Sequence, residues 1–274
     1  MTEAVRDLHV YLRSMAQGER TSLSVLAGMV RSDSRVLDLG TGSGALGEYL
    51  RDKAGCEVDG ITINEQEAAL ARPHYRRVET ADLEQPGWAA AFETKAYDFI
   101  VCADVLEHLR QPQLVLQACR QLLAPEGQVL ISVPNAGYSG LVAELLRGDF
   151  TYRDEGLLDR THLRFFTRRS LVRFLEDEGW AIRTIEPVER PLTESEFRIP
   201  FEQLPPAVAR YLLAVPDAAT YQLIVSAQPR SAVPVPANLV ESSPAQALFS
   251  AQLYVAHGDG FPENRKQVVS GVVG

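Results

Sequence analysis

Apolar positions along this chain follow two alternating periods. Compact apolar runs at 35–40, 56–63, 77–82, 97–104 and 128–134 have the length of strands. Between them, at 45–54, from Asn64 to just before Pro73, at 112–123 and at 168–177, apolar residues recur every three or four positions, as helices require. Asn64 and Thr167 stand where N-caps belong, with Glu67 and Ser170 three residues on, at capping-box positions. Strand and helix in alternation call for right-handed βαβ units, and so for a parallel sheet with helices on both faces.

Two further strands are expected at 180–186 and 221–227, and the aperiodic stretch 187–206 between them reads as a surface insertion. Upstream, Val5, Leu8, Tyr11, Leu12 and Met15 keep helical spacing, which makes 1–34 an N-terminal helical segment. Downstream, Pro229, Pro234 and Pro236 among small residues read as a linker. A strand at 251–257, a Gly-Asp-Gly turn and an apolar end at 268–274 follow it. One hairpin buries no core alone, so 228–274 either packs on the main domain or opens another module.

Composition narrows the class. With 274 residues, 46% apolar and 23% charged, the chain can fill one α/β core with length to spare. The 36 acids outnumber the 27 basic residues, and a net charge of −9 argues against nucleic acid as the main partner. The sequence shows no apolar run long enough to span a bilayer and no secretory signal, so a cytoplasmic location is expected. Cys56, Cys102 and Cys119 form no C-x-x-C pair, and the five histidines no H-x-x-x-H pair. Reduced thiols and no metal site built from local ligands are the expectation.

The segment Asp38-Leu-Gly40-Thr-Gly42-Ser-Gly44 follows a strand and opens a helix, where glycines let the backbone approach a ligand closely. Its spacing also fits the dinucleotide fingerprint. Asp38 discriminates between the two, because a carboxylate beside a pyrophosphate costs repulsion. S-adenosylmethionine carries an ammonium and a sulfonium instead, and a carboxylate attracts both. The only Tyr-x-x-x-Lys, Tyr49 to Lys53, lies within the helix after the loop, behind any cofactor, and gives a dehydrogenase no proton relay.

Val36-Leu-Asp-Leu-Gly-Thr-Gly-Ser-Gly44 resembles the first motif of the class I S-adenosylmethionine-dependent methyltransferases. Ala81-Asp-Leu83 resembles the acidic end of the family's third strand, 97–109 its fourth-strand motif, and 122–131 its approach to the fifth strand. The resemblance covers roughly residues 35–227. It implies a Rossmann-like class I fold with a seven-stranded, mostly parallel sheet, an antiparallel last strand and helices on both faces. It also implies S-adenosylmethionine as donor and S-adenosylhomocysteine as product. Donor contacts are carried over to Asp38, Gly40, Thr41, Gly42, Gly44, Thr62, Asp82, Leu83, Ala103 and Asp104.

One position departs from the family. Where an acid usually ends the second strand and binds both ribose hydroxyls, this chain has Thr62. A hydroxyl offers no charge-assisted pair, so weaker donor binding is expected. Asp59, three residues earlier, falls on the other face by strand parity.

Methyl transfer to an alcohol needs a positioned oxygen and a base near the carboxyl edge of the sheet. His108, in Leu-Glu-His, and His162, in Asp159-Arg-Thr-His, both qualify. His108 also reads as a helix-start residue packed beside the donor. The expected base is His162, oriented by Asp159. Residues 134–167 read as a helix-bearing lid, with Tyr138, Arg153, Arg160 and Arg164 as acceptor contacts and Phe150 and Tyr152 as stacking or closing groups.

The string 156–167 is similar to a subset of these methyltransferases associated with bacterial surface-glycan assembly. The tail 251–263 resembles the start of a β-rich module found beside glycosyltransferases. That resemblance implies a sugar hydroxyl as acceptor and a glycosyltransferase module or partner. The alternatives are a quinone-type or phenolic O-methyltransferase, and a weakly binding scaffold domain without turnover.

Overall fold

The computed structural model describes residues 20–197 and 204–230. The expected helix over Val5 to Met15 and the expected strand at 251–257 lie outside the described residues.

The elements alternate as the periodicity requires. They run α1 (Ser22–Met29), β1 (Arg35–Leu39), α2 (Ala45–Ala54), β2 (Glu57–Thr62), α3 (Glu65–Ala71), β3 (Arg77–Thr80), β4 (Tyr97–Ala103), α4 (Pro112–Leu122) and β5 (Leu123–Pro134). Then come α5 (Ser139–Leu146), α6 (Arg168–Asp177), β6 (Trp180–Glu189), α7 (Pro206–Ala214) and β7 (Thr220–Pro229). The seven strands form one sheet in the order β3-β2-β1-β4-β5-β7-β6. Only β7 runs against the others, pairing antiparallel with both β5 and β6. The order reverses between β1 and β4, the switch point where open α/β sheets bind ligands beyond the strand ends.

Strand parity sorts side chains into two cores. Leu37 and Leu39 of β1, Ile131 and Val133 of β5, and Leu223 and Val225 of β7 pack on one face. Val36, Leu130 and Ile224 pack on the other with Leu46 and Leu50 of α2. Tyr97 breaks parity with Phe99 because the β4–β5 register shifts between them. The three cysteines are buried and unpaired, and no helix among the described residues is long and apolar enough to cross a membrane.

Two expectations change. At α3, Asn64 Oδ1 accepts from the Gln66 and Glu67 amides, as an N-cap should. The Asn64 amide, however, goes to Thr62 Oγ1 at 3.3 Å, and the Glu67 carboxylate receives the Thr62 hydroxyl at 2.8 Å. The stretch 187–206 is not wholly a surface insertion either. β6 runs on to Glu189, where the edge strand keeps pairing with β7. Phe197 is buried with Tyr138, Leu141, Leu157, Leu158 and Tyr221 in a third cluster. At α6, by contrast, Thr167 and Ser170 close the expected capping box.

Candidate functional site

A cavity of about 860 Å³ opens at the carboxyl ends of β1 to β4. Nine of the ten residues expected to contact the donor border it: Asp38, Gly40, Thr41, Gly42, Thr62, Asp82, Leu83, Ala103 and Asp104. Gly44 does not. It caps α2 at φ 94°, and a Cβ there would lie 2.8 Å from Ala71 Cα, so its place is the packing of the loop on α3.

The glycine loop is held from behind by a residue that sequence reasoning missed. Tyr75 donates its hydroxyl to Asp38 Oδ2 at 2.6 Å and accepts the Gly47 amide at 3.1 Å. Its ring fills the space that side chains at Gly47 and Gly60 would take, with Cβ positions 2.2 and 2.9 Å away. Gly47→Ala therefore drives a methyl into a ring fixed at both ends, and should destabilise by about 1–3 kcal/mol. A melting-temperature fall of several degrees in a thermal scan checks this.

Burial pushes the Asp38 carboxyl up to about 6, against the opposing pull of the Tyr75 hydroxyl. Asp38 Oδ1 has no hydrogen-bond partner among the described residues. Asp59 lies where parity put it, away from the cavity and tied to Arg76 and Tyr97. Asp104 sits at φ 54° and takes the Ser132 hydroxyl at 2.6 Å and the Gln222 amide at 2.9 Å, fastening the end of β4 to β5 and β7. Asp82 accepts the Glu84 amide, which shapes the turn after β3.

On the acceptor side, His108 borders the cavity and His162 does not. His162 is 8% exposed, with Nδ1 3.2 Å from the Leu157 carbonyl. Its ring stands edge-on to His108, centroids 4.8 Å apart. Asp159 Oδ1 accepts both the amide and the hydroxyl of Thr161, at 2.7 and 2.6 Å. Thr161 Oγ1 lies 3.0 Å from His108 Nδ1. Because the threonine proton is committed to Asp159, this bond assigns the proton to Nδ1 of His108 and leaves Nε2 as its acceptor. Asp159 Oδ1 is joined through Thr161 to His108 Nδ1, whereas His162 Nδ1 faces the Leu157 carbonyl. Thr161 went unnoticed although it stands inside the Asp-Arg-Thr-His string.

Burial, and then the neighbouring His162, hold His108 below the usual histidine range. Burial likewise lowers His162. Glu107, His108 and His162 place potential ligand atoms within 4.8 Å of one another. The absence of local histidine spacing could not reveal that cluster, since it joins two distant segments.

The expected acceptor contacts divide. Arg160 borders the cavity and pairs with Asp154 at 2.8 Å. Arg164 does not border the cavity itself and donates to the carbonyl of Arg110, which does. Arg153 is spent on Glu144 at 2.7 Å and on the Phe197 ring. Tyr138 is fully buried, its hydroxyl on the Arg190 carbonyl, because the third core cluster closes over it. Phe150, Tyr152 and Phe165 form an exposed edge-to-face cluster beside His162.

The chain is 28% identical to a ubiquinone biosynthesis O-methyltransferase of Leptothrix cholodnii, over 58% of this chain and 69% of the relative. It is 31% identical to the enzyme of that name from Aromatoleum aromaticum, over 53% and 63%. Among such curated relatives the matched region spans from 44% to 70% of their length. A putative methyltransferase of Bacillus halodurans shares the fold at a TM-score of 0.53 and 15% identity, over 76% of this chain and 99% of that one. A SAM-dependent methyltransferase of Archaeoglobus fulgidus does so at 0.52 and 19%, over 76% and 94%. The family described as a methyltransferase domain matches residues 11–185, from before α1 into β6, and this chain belongs to that family.

Proposed function

We propose that the domain transfers the methyl group of S-adenosylmethionine to an oxygen of a small phenolic acceptor of quinone type. The cavity residues suit that donor. Asp38, anionic at neutral pH with Oδ1 unengaged, fits an ammonium, and the open loop of Gly40 and Gly42 gives close backbone approach. The donor supplies a methyl group on a sulfonium: the acceptor oxygen bonds the methyl carbon in line as the S–CH3 bond breaks, and S-adenosylhomocysteine leaves as a neutral thioether. The protein orients the acceptor and takes its proton.

The observation that carries the reading is the bonded series Asp159–Thr161–His108 at the cavity wall. It offers a neutral imidazole whose acceptor nitrogen is set by its partners. His162 is a positioning residue in this reading, packed against the His108 ring. The names of the relatives favour a phenol over the sugar hydroxyl that the glycan resemblance implied. Phe150, Tyr152 and Phe165 do not border the cavity, so this aromatic cluster does not discriminate between a phenol and a sugar.

The test is turnover of radiolabelled donor against catechols, hydroquinones and oligosaccharides, with and without a chelator. Turnover restricted to the phenols and indifferent to chelation supports the reading. Turnover of oligosaccharides alone restores the glycan assignment. Loss of turnover on chelation would give the Glu107, His108 and His162 cluster a catalytic ion.

A further inference from the structure

The threonine at the end of β2 looked like a loss, and its surroundings change that. Thr62 and Glu67 both border the cavity and are 4% and 6% exposed. The Thr62 hydroxyl donates to Glu67 Oε2 at 2.8 Å and accepts the Asn64 amide at 3.3 Å. Its proton is therefore committed, and the acceptor presented at this point is the carboxylate. Glu67 lies five positions after Thr62, so the turn from β2 into α3 brings the acid back to the strand end.

The sheet order β3-β2-β1 sets what lies over this spot. On the donor reading, Asp38 at the end of β1 takes the amino-acid end of the ligand and Asp82 beyond β3 takes the adenine. The ribose that joins them then falls over the end of β2. A vicinal diol presents two O–H donors, and an ionised carboxylate is acceptor-only with room for both. We infer that Glu67, delivered by α3 and aligned by Thr62, is the group that binds the ribose diol of the donor, replacing the acid absent from the end of β2. The inference rests on S-adenosylmethionine being the donor. It also reverses the expectation of weak donor binding drawn from Thr62 alone.

Calorimetric titration with S-adenosylhomocysteine and with its 2′,3′-dideoxy analogue tests the assignment. Wild-type protein should prefer the ribose form. Glu67→Gln should weaken S-adenosylhomocysteine by about ten- to a hundredfold, as expected for a bond to a charged group, and leave the dideoxy analogue unaffected. Thr62→Asp placed in the Glu67→Gln background should restore much of the lost affinity. Glu67→Asp keeps the charge and withdraws it by one methylene; it is the second variant should Gln impair folding, and it too should weaken only the ribose form.

Equal losses for both ligands would assign Glu67 a purely structural part and overturn the inference. Unchanged affinity for S-adenosylhomocysteine in a folded Glu67→Gln protein overturns it as well. The donor reading fails separately, and takes the inference with it, if wild-type protein binds neither compound.

Discussion

Replacing His108 by Gln is expected to lower kcat by about 10²–10⁴-fold while leaving the affinity for S-adenosylhomocysteine close to that of the wild type. The residue borders the cavity, and its Nδ1 is engaged by Thr161, whose hydroxyl is in turn held by Asp159. Nε2 remains to accept the acceptor's proton. Glutamine keeps a polar side chain of similar reach but removes the basic nitrogen.

The pH profile carries the same signature. His108 sits below its ordinary 6.5, first through burial and then through His162. A base must be neutral to act, so the rate should rise with pH and level off before neutrality. The acid limb should disappear in His108→Gln. His162→Ala removes one of the influences that depress His108 and should move that limb upward rather than abolish turnover. Single-turnover rates between pH 5 and 8 would show whether the limb follows His108. A profile unchanged in His108→Gln would return the base to another residue.

Donor affinity should fall about tenfold for each pH unit below about 6, through Asp38. Its carboxyl is raised from 3.8 to about 6 by burial. The folded protein therefore holds a proton on this group that the unfolded chain releases between those values. The sign follows: stability from this group is present below pH 3.8 and is lost as the pH rises through about 6. The charge at neutrality costs on the order of 3 kcal/mol, from a shift near two units at 1.36 kcal/mol each.

A cationic ligand favours the charged form, so binding below pH 6 must release that proton, and its affinity drops accordingly. Over this range an α-amino group stays protonated, so the ligand's own titration does not interfere. Asp38→Asn should flatten the pH dependence and weaken S-adenosylmethionine by roughly thirtyfold or more, the usual loss on removing one partner of a buried charge pair. Titration calorimetry at pH 5, 6 and 7 in buffers of different ionisation enthalpy measures affinity and proton release together. Flat affinity in the wild type would separate Asp38 from the ligand's ammonium.

Much of this fold can be read from local pattern. The expected helices at 45–54 and 168–177 coincide with α2 and α6, because an αL glycine at each end bounds the first and a closed capping box starts the second. Seven strands with the last one antiparallel were implied by alternation together with the family resemblance, and the sheet is built that way. Helix α7, which follows the aperiodic stretch, was not anticipated; only Leu212 of it is buried.

The candidate site was legible where residues act from the backbone outward. The glycine loop, Thr62 and the ends of β3 and β4 gather at one cavity because parallel strands share a carboxyl edge. Parity also placed Asp59 correctly, since alternation along one strand needs no partner to be known.

Reach between distant segments is a different matter. Tyr75 meets Asp38 across 37 residues, and Gln222 meets Asp104 across 118. No periodicity encodes such meetings. Tyr138 and Phe150 both read as lid aromatics, yet the first is sealed beneath Phe197 and the second lies open. His108 and His162 carry the same chemistry in sequence, and only the packing of their two segments turns one to the cavity and the other to the Leu157 carbonyl. Period and punctuation follow from each residue's own backbone preferences, so the order of strands and the place of the ligand edge were written in the chain. Which carboxylate, hydroxyl and imidazole stand within 3 Å of one another depends on how separate elements pack, and that was decided by the tertiary fold.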